Sequence, residues 1–205
     1  AGRYARIDRP SGFAAFDVAM ELPPIDAPIT GLRVVMHASP DAPAAGWGYG
    51  GGNAGKQTFA LTTLSISAGE VPADQVDLHH LLPIAAITAS SWDEKWHPRG
   101  ALSTGHDVGW MPDLASEGSV HITASFGKPL APADARFLTA QVNFSRGGNL
   151  MARRMEFFAI TGNDDGTDLP ASIVAVLGKE RAQRSPEEML SLASYFAAHS
   201  EAMAP

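Results

Sequence analysis

Cysteine is absent from this 205-residue chain. With it go disulfides, thiolate metal sites, a cysteine nucleophile and covalent haem attachment through CxxCH. The compartment stays open on that ground, because a cysteine-free chain suits both cytoplasm and periplasm. Positive charge is scarce as well: 15 Lys and Arg stand against 22 Asp and Glu, a formal net charge of −7. Nucleic-acid binding draws on clustered cations that release counterions, so nucleic acid is not an expected partner. Nor is there a polybasic patch for an anionic membrane surface. Long apolar runs are missing too. The longest, residues 81–89, contains Pro83 and is far too short to span a bilayer. No basic segment followed by an apolar one stands at Ala1, so any signal peptide or anchor is expected to lie outside this sequence.

What is present is turn chemistry and alternation. Twenty glycines and 15 prolines within a 45% hydrophobic composition describe a loop-rich globular chain. Phe16, Val18, Met20 and Leu22 alternate with Asp17, Ala19 and Glu21, the period of a strand with one buried face, and Pro23-Pro24 ends it. Leu32, Val34 and Met36 repeat the pattern. So do Val120, Ile122, Ala124 and Phe126, then Leu138, Ala140, Val142 and Phe144, and residues 155–161 form a further strand. Over residues 58–67, Phe59 and Leu61 fall out of phase with Leu64 and Ile66, which predicts a β-bulge or burial on both faces. Residues 69–118 carry little legible pattern.

The C-terminal region changes character. Asp168 caps and Pro170 opens a short helix ending at Gly178. The sequence Ser-Pro-Glu-Glu from Ser185 to Glu188 reads as a capping box for a second helix with Met189, Leu192, Ala193 and Phe196 as its apolar stripe. The expectation is therefore a mainly β chain: an antiparallel sandwich over residues 1–167, followed by two short helices in a tail of residues 168–205.

Catalytic signatures are weak. Neither a G-x-S-x-G elbow nor a P-loop is present, and Ser39, Ser103 and Ser119 sit near histidines without positioning context. Asp93, Glu94, Asp107, Asp113 and Glu117 offer carboxylates, but no spacing selects a pair for glycoside hydrolysis. His79-His80, or His97 with His106 and Asp107, are the candidate metal ligands. Adjacent histidines in a strand would point to opposite faces, which argues against the first pair. Asn163, Asp164, Asp165 and Asp168 supply hard oxygens suited to calcium, without the spacing or terminal glutamate of an EF-hand. A tight turn leading into a helix cap accounts for them as well. The segment G-W-G-Y-G-G-G-N-A-G, residues 46–55, reads as a flexible loop. It leads to a strand and not to a helix N-terminus, so it is a poor phosphate cradle. Trp47 and Tyr49 in that loop, with Trp92, Trp96 and Trp110, are the candidate ligand or partner contacts, because exposed indoles stack on sugars and anchor protein interfaces. Plugging the ends of the sandwich is their alternative use.

The order of short motifs carries a resemblance. I-T-G-L-R-V at Ile29, the glycine-rich segment and T-F-A-L-T-T-L-S-I-S come first. D-V-G-W-M-P at Asp107, S-V-H-I-T-A-S-F at Ser119 and R-R-M-E-F-F-A-I-T at Arg153 follow. L-P-A-S-I at Leu169 and R-S-P-E-E at Arg184 close the series. Together they resemble the sandwich module of the large c-type-cytochrome proteins of planctomycetes and their relatives, from about Phe13 onward. Two departures are visible: the glycine segment lacks that family's usual Arg, and the stretch before Gly109 lacks its Asp-Gly pair. The resemblance implies a discoidin-like or jelly-roll sandwich, exported to the periplasm or another extracytoplasmic place, without haem or other cofactor of its own. It implies no catalytic residues. The expected role is that of a non-enzymatic accessory subunit docked to a membrane-associated electron-transfer complex, photosynthetic or respiratory, with a c-type cytochrome among its partners. A carbohydrate-binding module is the alternative.

Overall fold

The computed structural model describes residues 4–6, 14–38, 46–51, 56–72, 75–103, 108–144, 149–162, 173, 176–177 and 179–199. The chain divides into two compact units, Ala1–Gly166 and Thr167–Pro205.

The first unit is built of antiparallel sheets. Its strands are β1 (Tyr4–Arg6), β2 (Ala14–Glu21), β3 (Ile29–Met36), β4 (Gly50–Gly51), β5 (Gln57–Thr58), β6 (Thr63–Gly69), β7 (Ile84–Ala89), β8 (Val120–Leu130), β9 (Phe137–Phe144) and β10 (Arg154–Thr161). A five-stranded sheet runs β1-β10-β3-β8-β7, a three-stranded sheet β2-β9-β6, and β4 pairs with β5.

Alternation in the sequence becomes alternation in burial. On β3, Leu32, Val34 and Met36 are fully buried while Arg33 and Val35 are half-exposed, and β8 and β9 behave alike. Leu64 and Ile66 of β6, Leu138, Val142 and Phe144 of β9, and the inward residues of β3 and β8 join one buried cluster to which both larger sheets contribute. Each large aliphatic side chain removed from water there is worth roughly 2 kcal/mol, which makes this cluster the main source of stability. Phe59 meets Trp110 and Phe144 edge-on, at centroid distances of 5.2 and 6.2 Å.

Residues 59–61 explain the broken phase. Phe59, Ala60 and Leu61 are all buried, between the end of β5 and the start of β6. Ala60 N–H donates to Leu150 O at 3.0 Å, and Leu61 exchanges two backbone bonds with Trp110, at 2.9 and 2.8 Å. The chain changes hydrogen-bonding partner here, so the apolar residues change face.

The illegible stretch contains β7, which pairs with β8 across a register shift between Ile84 and Ala86. It also contains short 3-10 turns at Leu78–His80 and Pro98–Leu102.

In the second unit a helix, α1 (Pro186–His199), follows the expected capping box. Glu188 N–H donates to Ser185 Oγ at 3.2 Å and Ser185 N–H to Glu188 Oε2 at 2.9 Å. The stripe is turned from expectation: Leu192 is buried and packs with Ile173, Val176 and Tyr195, whereas Met189 and Ala193 are exposed. The side chain of Phe196 and most of the expected 168–178 helix lie outside the described residues.

Candidate functional site

The aromatic candidates separate into core and surface. Trp47 is buried and its Nε1–H donates to Gly118 O at 2.6 Å; Trp110 is buried and donates to Ser91 O at 2.8 Å. Both are therefore corrections to the expectation of ligand contacts, since a buried and hydrogen-bonded indole offers no face to a partner. Tyr49 is half-buried under the Arg153 guanidinium, 4.1 Å from its ring centroid, while Arg153 Nε–H donates to Gly48 O and Nη2–H to Gln57 Oε1. Trp96 is half-buried, and Trp92 is 44% exposed, set edge-on to His97 at 5.4 Å.

The described part of the glycine segment, residues 46–51, serves close packing. Trp47 N–H donates to Gln57 O, Tyr49 N–H to Met151 O and Arg153 N–H to Trp47 O, so the strip lies between two neighbouring backbones. A Cβ on Gly48 would stand 1.9 Å from Thr58 O and 2.6 Å from Met151 O. Glycine is needed there for approach, which corrects the flexible-loop expectation.

The metal and acid candidates disperse into local roles. His79 and His80 lie in a 3-10 turn rather than a strand. Asp77 Oδ2 meets His80 Nδ1 at 2.7 Å and Oδ1 accepts the His79 N–H. The His80 hydrogen bond, then the His79 N–H, hold the Asp77 carboxyl below its ordinary value. His97 Nδ1 accepts from Arg99 N–H; Asp93 and Asp113 accept from the N–H groups of Lys95 and Ala115. Among the described residues no group of three or more metal-ligating side chains gathers. His106, Asp107, Ser39 and the calcium candidates Asn163, Asp164, Asp165 and Asp168 lie outside the described residues.

One constellation escaped the sequence reading, because its members are far apart in the chain. His37 Nδ1 lies 3.0 Å from Ser119 Oγ and His37 Nε2 lies 2.9 Å from Glu156 Oε2. Serine hydrolases set the hydroxyl on Nε2 and the acid on Nδ1, the reverse of this arrangement. The trio spans three adjacent strands, β8, β3 and β10, and works as a clasp across their ends.

Two apolar surfaces remain. A depression of about 340 Å³ is lined by Leu64, Ile66, Leu82 and Ile84 from the edges of both large sheets, with Leu81 and Leu102 beside them. Leu78, Leu81 and Leu102 are 76, 42 and 41% exposed. A groove of about 590 Å³ runs between the end of the edge strand β2, continued by Leu22, Pro23 and Pro24, and β10, the neighbour of edge strand β1, at Phe157, Phe158 and Ala159.

No protein-family model matches the chain. No curated protein and no solved structure matches it either. The functional reading rests on these surfaces and on the motif order given above.

Proposed function

We propose that the chain is a non-enzymatic accessory subunit that docks to an exported, membrane-associated electron-transfer assembly, photosynthetic or respiratory, with a c-type cytochrome among its neighbours. The observation that carries this reading is the leucine surface: Leu81 and Leu102 stand exposed in a depression otherwise lined mainly by Leu64, Ile66, Leu82 and Ile84. Contiguous exposed apolar area of this kind marks a contact with another molecule. On this reading the five- and three-stranded sheets are the layers of a discoidin-like or jelly-roll sandwich, supported by the buried cluster they share and by the motif order. Mild-detergent extraction of native membranes, followed by affinity capture of the chain, should recover a stoichiometric c-type cytochrome seen by haem absorbance. A Leu81→Asp, Leu102→Asp double variant that still folds should lose it. Recovery of the chain alone would overturn the proposal.

The carbohydrate reading keeps one specific observation, the half-exposed Trp92 beside His97. Glycan-induced fluorescence quenching that Trp92→Ala abolishes supports it, and silence across a broad glycan panel sinks it.

A further inference from the structure

We propose that Ser119 is an acyl-acceptor site: with His37 as its base, it takes an acyl group from an activated ester or thioester, once per chain. The positions come from strand register. Met36 pairs with Val120 on β8 and with Met155 on β10, and all three side chains are buried. Their chain neighbours His37, Ser119 and Glu156 therefore share the opposite, outer face of the five-stranded sheet. Continuing the register, Ser119 stands directly across from His37, and Glu156 lies on the diagonal, both within reach of an imidazole. The outcome is 3.0 Å between Ser119 Oγ and His37 Nδ1, and 2.9 Å between His37 Nε2 and Glu156 Oε2. Gly118, at φ +71°, turns the chain into β8, and its carbonyl accepts the indole N–H of buried Trp47. The hydroxyl is thus carried on a strand end that is held from both sides.

Hydrogen-bond chemistry decides which nitrogen is the base. A carboxylate only accepts, so Nε2 carries the proton of the neutral ring and Nδ1 presents its lone pair to the Ser119 hydroxyl. The two nitrogens are exchanged relative to a serine hydrolase, yet either one can take a proton, and the order acid, imidazole, hydroxyl is kept. Exposure is graded along that order: the Glu156 and His37 side chains are 18 and 24% exposed, whereas Ser119 is open to a donor arriving from solvent. In the step itself Ser119 Oγ attacks the acyl carbon and its proton passes to His37 Nδ1. The bond to the leaving oxygen or sulfur then breaks with its electron pair, and the imidazolium returns its proton to the leaving group or to water. The products are a Ser119 ester and a free phenol or thiol. An activated donor is specified because the clasp supplies a base and an orienting acid but no donor aimed at a developing oxyanion, which unactivated esters require. The serine ester is itself unactivated, so the acyl group stays on Ser119.

This inference is independent of the docking reading, and its test contains no partner protein. The full chain is treated with p-nitrophenyl acetate; p-nitrophenolate release is followed, and the acetyl group is located by peptide mass mapping. A fast single equivalent with the acetyl on Ser119 is the expected result. Ser119→Ala should remove that equivalent, and His37→Gln should slow it roughly a hundredfold. Glu156 is a positioning residue, and Glu156→Gln can offer an N–H to Nε2 and so turn the ring to its other tautomer. That variant should lose most of the same factor, while ring-nitrogen NMR shows the His37 proton moved to Nδ1. Should His37→Gln fail to fold, the paired rate and tautomer readings of Glu156→Gln carry the test. Acetyl groups confined to lysines would overturn the proposal, as would equal Ser119 rates in the parent and in folded His37→Gln or Glu156→Gln. Continuous turnover at Ser119 would overturn its role as an acceptor.

Discussion

Glycine 48 shows how far a residue's meaning depends on what lies opposite it. In sequence, G-W-G-Y-G signals backbone freedom; in the fold, Gln57, Thr58 and Met151 close around it and convert freedom into proximity. Gly48→Ala forces a methyl against a carbonyl oxygen and should lower unfolding free energy by about 3 kcal/mol in a denaturant titration. Gly51, two residues beyond Tyr49, has open space where its Cβ would be, and Gly51→Ala should stay within about 0.5 kcal/mol of the parent. Equal losses at both positions would contradict the close-approach account. The tryptophans teach the same lesson: nothing local distinguishes buried Trp47 and Trp110 from exposed Trp92, because the acceptors Gly118 and Ser91 are supplied by distant or irregular chain.

Elements whose cause is local were legible, and those whose cause is remote were not. The Ser185–Glu188 box needs only four consecutive residues and forms as the sequence dictates. Glu188 is held below its ordinary carboxyl value by the Lys179 hydrogen bond first and the Ser185 N–H second, and Glu187 by the Ser185 hydroxyl. A depressed folded-state value means that the contribution is present above the ordinary value of 4.5 and is lost as pH falls through the lowered one. Helix-α1 amide shifts should accordingly move towards coil on acidification below pH 4.5, and Ser185→Ala should cost the helix about 1 kcal/mol. An α1 signal indifferent to both would count against the cap. Strand β7 lies at the other extreme. Its Ile84 and Ile87 are three apart because of the register shift against β8, so neither a strand period nor a helix period marks it. The groove between β2 and β10 is remote in the same sense, since alternation announces both strands but says nothing of which edges meet water.

At the scale of the molecule, the five-stranded order places β3 and β8 inside their sheet, and β9 is central in the three-stranded one. Their amides are bonded on both sides, so Val34, Ile122 and Val142 should exchange only at the rate of global opening, whereas β1 should exchange far faster. Comparable rates in β1 and β3 would mean a different strand order. Fold class was readable from these central strands, each apolar on alternate residues; neither the order of the strands nor the clasp of His37 with Ser119 and Glu156 could be read, because pairing joins positions far apart in the chain. That strand order also sets a timetable for biosynthesis. β3 ends at Met36, its neighbour β8 begins at Val120 and its other neighbour β10 only at Arg154. On a ribosome adding about 5–20 residues per second, β3 waits on the order of ten seconds with both edges open. From the emergence of β3 until β10 arrives the nascent chain therefore carries an unpaired strand edge, so for that interval its exposure to wrong pairing is set by the pace of synthesis and not by the stability of the finished sheets.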